Sequence, residues 1–118
     1  MNTKHLFVIF LFASTLLGCA TPAELRQQTP LLNLKSNKSS KAVAICISEK
    51  WEGMGAFGGA ITVNMRLTKT GYVVSLPING QTGMLVDVDD AGTGSATKYY
   101  KGLVLLEGSF VEAIKDCQ

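Results

Sequence analysis

Ile61-Thr-Val-Asn-Met-Arg-Leu67, Tyr72-Val-Val-Ser-Leu-Pro-Ile78, Asn79-Gly80 and Thr82-Gly-Met-Leu-Val-Asp-Val88 follow one another in a short span of the chain. In the first stretch a period of two puts Ile61, Val63, Met65 and Leu67 on one face. Thr62, Asn64 and Arg66 fall on the other, the pattern of a half-buried strand. Lys69-Thr70-Gly71 turns the chain into a second strand. Pro77 confines that strand to an edge or ends it early, because proline has no N–H to give to a ladder. Asn79-Gly80 tolerates the positive φ angles of a tight hairpin, so a third strand follows with Met84, Val86 and Val88 inward. After Asp89-Asp90-Ala-Gly-Thr-Gly94, residues Ser95 to Leu105 read as a fourth strand, longer and less regular. Together these segments predict an antiparallel meander.

Helical patterns flank it. Ser39-Ser40 offers an N-cap to a helix whose Val43, Cys46, Ile47 and Trp51 recur at three- and four-residue spacings, and Gly53 ends it. Val-Ala-Ile-Cys-Ile is also β-prone, so a strand over Ala42 to Ile47 is the competing reading. Ser109-Phe-Val-Glu112 has the spacing of a capping box, and Phe110, Ile114 and Cys117 share one face of the helix that would follow. The expected fold class is α+β: a small four-stranded antiparallel meander with an N-terminal and a C-terminal helix on one face.

The start of the chain has a different character and takes a large share of the 47% hydrophobic residues. Lys4 is followed by Leu6-Phe-Val-Ile-Phe-Leu-Phe-Ala13, an apolar run that closes at Ser14-Thr15. A run of roughly ten residues, against about 20 needed to span a bilayer core, is the h-region of an export signal rather than a permanent membrane helix. Leu16-Leu17-Gly18-Cys19 then resembles the lipobox of bacterial lipoproteins, with a leucine three positions before the cysteine and a small residue just before it. The resemblance implies cleavage between Gly18 and Cys19, a thioether-linked diacylglycerol on Cys19, and usually a third acyl chain on the freed amine. Cysteine suits this role because its thiolate is the nucleophile that accepts the lipid. Each buried methylene contributes roughly 0.8 kcal/mol, so two or three chains hold a protein to a lipid bilayer where one does not. In the enterobacterial sorting pattern an aspartate after the cysteine retains the protein in the inner membrane. Ala20 stands there, which implies the outer membrane, with the protein facing the periplasm. The competing reading is an ordinary secreted protein with a chance cysteine near its cleavage site.

Three regions follow from this reading. Residues 1–18 are a lipoprotein signal peptide, 19–40 a lipidated N-terminus and flexible tether, and 41–118 a small α+β domain. The tether is polar and carries Pro22 and Pro30. Its one apolar cluster, Leu31, Leu32 and Leu34, either docks on the domain as an extended piece or forms a short helix after Pro30. A domain of this size has a marginal core and commonly carries a covalent staple. With Cys19 committed to lipid, Cys46 and Cys117 remain, near the two ends of the domain and in a compartment that permits disulfides. They are expected to pair, closing a loop of about 70 residues for roughly 4 kcal/mol of chain-entropy stabilisation. Two free thiols or a redox pair are the alternatives, but there is no Cys-x-x-Cys spacing.

Composition and single residues narrow the chemistry. In 118 residues, 11 basic against 9 acidic side chains give a net charge of +2, without the clustered excess that nucleic-acid binding requires. The one histidine, His5, lies in the leader. The mature chain would have no imidazole for acid-base work or metal ligation, and neither a catalytic residue nor a cofactor is expected. Gly53-Met-Gly-Ala-Phe-Gly58 has the letters of a dinucleotide fingerprint but follows a helix and precedes a strand, the reverse of what that motif needs. It reads as a connection with Phe57 at its tip. Asp87, Asp89 and Asp90 offer carboxylate oxygens to a hard cation, yet Ala91 stands where a calcium loop needs its third ligand, so a solvated acidic turn is expected. Asp87 and Asp89 share one side of a strand, but nothing supplies the sugar cleft of a glycosidase.

Lys98-Tyr99-Tyr100-Lys101 is the candidate binding surface, because tyrosines flanked by cations recur at interfaces. Alternation sends the two tyrosines in opposite directions, so the other reading puts one in the core. With Gly94-Ser-Ala-Thr before it, the segment resembles the Ser-Gly-x-x-Tyr stretch of periplasmic inhibitors of C-type lysozyme. That family comprises small lipoproteins and periplasmic proteins with a stapled β-barrel; here the Gly94-Ser95 order is reversed and the tyrosine falls one place late. The expectation is a membrane-anchored periplasmic lipoprotein that is not an enzyme and binds a protein partner in the envelope. It acts either as a binding or assembly module, or as an inhibitor or immunity protein that neutralises a wall- or lipid-degrading enzyme.

Overall fold

The computed structural model describes residues 20–54, 61–102 and 108–118. In chain order its elements are α1 (Pro22–Leu25), β1 (Leu32–Ser36), α2 (Ser40–Glu52), β2 (Asn64–Leu67), β3 (Gly71–Ile78), β4 (Gln81–Ala91), β5 (Gly94–Lys101) and α3 (Gly108–Asp116). The strands form one antiparallel sheet in the order β1-β5-β4-β3-β2.

The meander from β2 to β5 is the one expected, but the sheet has five strands rather than four. The fifth comes from the segment read as a tether: Leu32 to Ser36 pairs with Tyr99 to Ser95. Leu32 and Leu34 pack against the main core, whereas Asn33 and Lys35 are exposed. Of the two readings of the leucine cluster, the docked extended piece is the one observed.

Local chemistry sets the turns. Asn79 and Gly80 have φ of 51° and 76°, the two left-handed positions of a type I′ hairpin between β3 and β4. Between β4 and β5 only Gly92 is left-handed, at φ 61°, the pattern of a type II′ turn. β4 therefore runs on through Asp89 and Asp90 to Ala91, and the acidic residues belong to a strand rather than a loop. Pro77 sits in an interior strand, not an edge. β2 pairs only with Tyr72 to Ser75, so Pro77 lies beyond its end, and the register with β4 shifts between Leu76 and Pro77. A proline is tolerated there because β2 asks no hydrogen bond of it.

α2 and α3 cover one face of the sheet. Ser39 Oγ accepts the Ala42 N–H at 3.1 Å and the Gly53 N–H donates to the Glu49 carbonyl, so Ala42 to Ile47 is helical and not a strand. Val43, Ile47 and Trp51 are fully buried against Val74, Met84, Val86, Val88 and Tyr99, with Ala113, Ile114 and Cys117 completing the core. Each large apolar side chain so enclosed contributes about 1.5–3 kcal/mol. Cys46 and Cys117 form a disulfide with Cα atoms 5.7 Å apart, joining α2 to the residue after α3. The same helices are also linked by the Trp51 Nε1–H, which donates to the Phe110 carbonyl at 3.1 Å, while the two rings meet edge to face at 5.8 Å.

Two expectations are corrected. Met65 and Leu67, read as inward, are 37% and 69% exposed. β2 is an edge strand whose side chains stay open to solvent, and of the alternating set Ile61 and Val63 pack on the core. Among the described residues no capping box forms at α3. Ser109 lies inside the helix, after Gly108, and the Glu112 carboxylate accepts from Lys115 Nζ at 3.4 Å. β5 ends at Lys101, and the expected extension to Leu105 falls outside the described residues.

Candidate functional site

The face of the sheet opposite α2 and α3 carries a second apolar cluster of Leu25, Val73, Leu85 and Tyr100, with Ala20 half-buried against it. Leu25 reaches it from α1, a single turn started by Thr21. The Thr21 Oγ1 accepts the Glu24 N–H at 3.3 Å, and Pro22 occupies the first turn, where a missing N–H costs nothing. Arg26 follows and reaches β4. Its Nε and Nη2 donate to Oδ2 and Oδ1 of Asp87, each at 2.8 Å. The hydrogen bonds that the guanidinium donates to Asp87, joined by the carboxylate's charge, hold Arg26 above its ordinary pKa against the opposing effect of burial. Ahead of α1, the Ala20 carbonyl accepts the Thr82 N–H at 3.1 Å. Behind it, the Leu31 N–H donates to the Tyr99 carbonyl at 2.8 Å. From Ala20 onward the N-terminal segment is therefore laid across the sheet and hydrogen-bonded at both ends.

The expected lipid-attachment and cleavage positions, Cys19 and Gly18, lie outside the described residues. The candidate binding surface does not survive as an aromatic patch. Tyr99 is fully buried beneath the helices and Tyr100 is 7% exposed under Leu25. Alternation along β5 divides them between the two cores, so neither ring is offered to a partner. Lys98 is half-buried opposite Asn33 and Asp87, and Lys101 is exposed opposite Met84.

The three aspartates have separate partners rather than a common focus. Asp87 holds Arg26, Asp89 accepts the Thr70 hydroxyl at 2.6 Å, and Asp90 accepts the Ser40 hydroxyl. Among the described residues no group of three or more His, Cys, Asp or Glu is placed to hold a metal. Of the glycine run, Gly53 caps α2, whereas residues 55–60, Phe57 included, fall outside the described residues.

Two surface clefts lie at opposite ends of the sheet. One, of about 530 Å³, runs beside α1 and is lined by Pro22, Arg66, Pro77, Gln81 and Thr82 among others. The other, of about 520 Å³, is lined by Lys35, Ser36, Gly92, Thr93 and Gln118 among others. Beside the second, Ser36 Oγ donates to the Gln118 carbonyl at 2.7 Å and Ser95 Oγ to the Lys38 carbonyl at 2.9 Å.

Arg26 and Leu25 are the residues of this face that reading the chain as a tether misses. The signal was present in Thr21-Pro22-Ala23-Glu24, a Thr-x-x-Glu helix start with proline at its first position. Among the described residues, no helix is long and apolar enough to cross a membrane. Comparison with protein families, with curated proteins and with solved structures finds no match for this chain.

Proposed function

We propose that this chain is a bacterial lipoprotein, acylated on Cys19, that presents a disulfide-stapled α+β domain at the periplasmic face of the outer membrane. It acts by binding a protein partner of the envelope, as an assembly or scaffolding module, and not by catalysis. The observation that carries the reading is Leu16-Leu17-Gly18-Cys19 directly after a short apolar run. A secreted protein with an incidental cysteine has no need of a leucine three positions before it and a glycine directly before it. The binding role is supported by the state of the titratable groups. Asp87, Asp89 and Asp90 are each engaged by a neighbour, and the one histidine precedes the cleavage position. An inhibitor role based on Tyr99 or Tyr100 draws no support from two buried rings.

Feeding cells an alkynyl fatty acid tests the anchor. The protein should be labelled and should fractionate with the outer membrane, and Cys19→Ala should abolish both; label that persists in Cys19→Ala sinks the lipoprotein reading. Deletion of the gene should raise envelope permeability, and unchanged permeability would count against an assembly role. Capture from an envelope extract of a stoichiometric wall- or lipid-degrading enzyme, in place of assembly machinery, would move the function to inhibition.

A further inference from the structure

The N-terminal segment fixes how the domain would sit on its membrane. Adjacent Cα atoms lie about 3.8 Å apart, so whatever holds Cys19 holds a point one residue from Ala20. Ala20 is not free. Its carbonyl takes the Thr82 N–H, its side chain packs against the cluster of Leu25, Val73, Leu85 and Tyr100, and six residues later Arg26 is clamped on Asp87. A loose segment of about 20 residues would let the domain wander roughly 25 Å in any orientation. A docked one gives almost no slack, and the acyl chains bring one particular end of the sheet to the headgroups.

We infer that the surface carrying Pro22, Pro77, Gln81 and Thr82, with Arg66 beside it, lies against the bilayer. The inference rests on the lipoprotein reading above. Two features of this surface fit a lipid partner. Among the described residues that line this cleft, Arg66 is the only charged one and none is a carboxylate, which suits phosphate headgroups. Pro77, exposed beyond the end of β2, brings no N–H that a membrane contact would leave unpaired. The 11 residues of β4, at about 3.3 Å each, set the opposite hairpin at Gly92-Thr93 up to roughly 35 Å away. The cleft beside Ser36 and Gln118 is then the one presented to the periplasm.

The test uses full-length lipidated protein in phosphatidylethanolamine–phosphatidylglycerol vesicles, with a photoreactive benzoylphenylalanine in place of Gln81 or of Thr93. Mass spectrometry first reads the acylation of Cys19. The orientation predicts several-fold more phospholipid adduct from the Gln81 probe than from the Thr93 probe. A flexible Gly-Ser spacer inserted between Cys19 and Ala20 should bring the two to the same level. Equal adducts from an acylated protein without the spacer overturn the orientation alone. An unacylated Cys19 overturns the lipoprotein reading and the orientation with it.

Discussion

The guanidinium of Arg26 grips the carboxylate of Asp87 with two parallel hydrogen bonds, Nε to Oδ2 and Nη2 to Oδ1, both at 2.8 Å. This fork ties a four-residue helix to the middle of the sheet, 61 positions further along the chain. The two side chains are 36% and 14% exposed, so water screens part of the attraction and the coupling should be about 1 kcal/mol. A double-mutant cycle of Arg26→Ala and Asp87→Ala in urea measures it. Arg26→Lys should recover less than half, since an ammonium cannot make the fork. Releasing the clamp should also speed hydrogen exchange at the Thr82 amide, which bonds Ala20. Unchanged exchange would show that the clamp does not hold the segment. The pKa of Arg26 is raised in the folded protein, so its contribution is present in full below the guanidinium's ordinary range and fades only as pH rises through it. Between neutral and mildly alkaline pH this contribution should stay flat.

Removing the staple should be the most damaging covalent change. The Cys46–Cys117 bridge spans 71 positions. In the chain-entropy model such a closure stabilises by about 4 kcal/mol, comparable with the whole stability of a small domain. Cys46→Ala combined with Cys117→Ala should lower the urea midpoint by a corresponding amount. Trp51, the single tryptophan, is fully buried against Phe110, so its emission should shift to the red as α3 comes away. A double variant as stable as the parent would mean that packing alone holds the helices together.

What the sequence disclosed depended on how much signal each element carried. Asn79-Gly80 announces its hairpin because the turn needs two left-handed residues and few residue types accept them. Val43, Ile47 and Trp51 announce α2 because a helical stripe repeats over three turns. β1 is hidden because only Leu32 and Leu34 point inward, and two alternations do not distinguish a strand from a tether. The burial of β2 was misread for another reason. Its alternation is genuine and Met65 and Leu67 register with Val74 and Tyr72 of the core side, but periodicity cannot say which strand lies at the edge, where an apolar face stays partly open. Tyr99 and Tyr100 fell the same way, since sequence places them on opposite faces without revealing that α1 covers the second face.

Gly94 probes the reality of β1 directly. A Cβ built there would lie 2.0 Å from the Ser36 carbonyl oxygen, a backbone atom that can retreat only by moving the end of β1. Gly94→Ala should therefore prise Ser36 from Ser95 and loosen the hydrogen bond from Ser36 Oγ to Gln118. The expected loss is about 1–3 kcal/mol, the range of overpacking in a closed site. Gly80→Ala is the contrast. No atom stands within 4 Å of its Cβ position, so any cost there comes from the positive φ alone. Equal urea midpoints for Gly94→Ala and the parent would argue that β1 does not dock.

The edge position of β2 makes the last comparison. Leu67 belongs to an alternating apolar set, yet it is 69% exposed, whereas Val86 at the centre of the sheet is fully buried between Val74 and Tyr99. Leu67→Lys removes a side chain that buries little and adds a charge of the kind that guards sheet edges, so stability should change by less than about 0.5 kcal/mol. Val86→Ala empties space in a closed core and should cost about 2 kcal/mol. Measured side by side in urea, the two substitutions separate apolar residues that hold the fold from one that only shares their spacing. A costly Leu67→Lys would place β2 under cover and return its alternating face to the core.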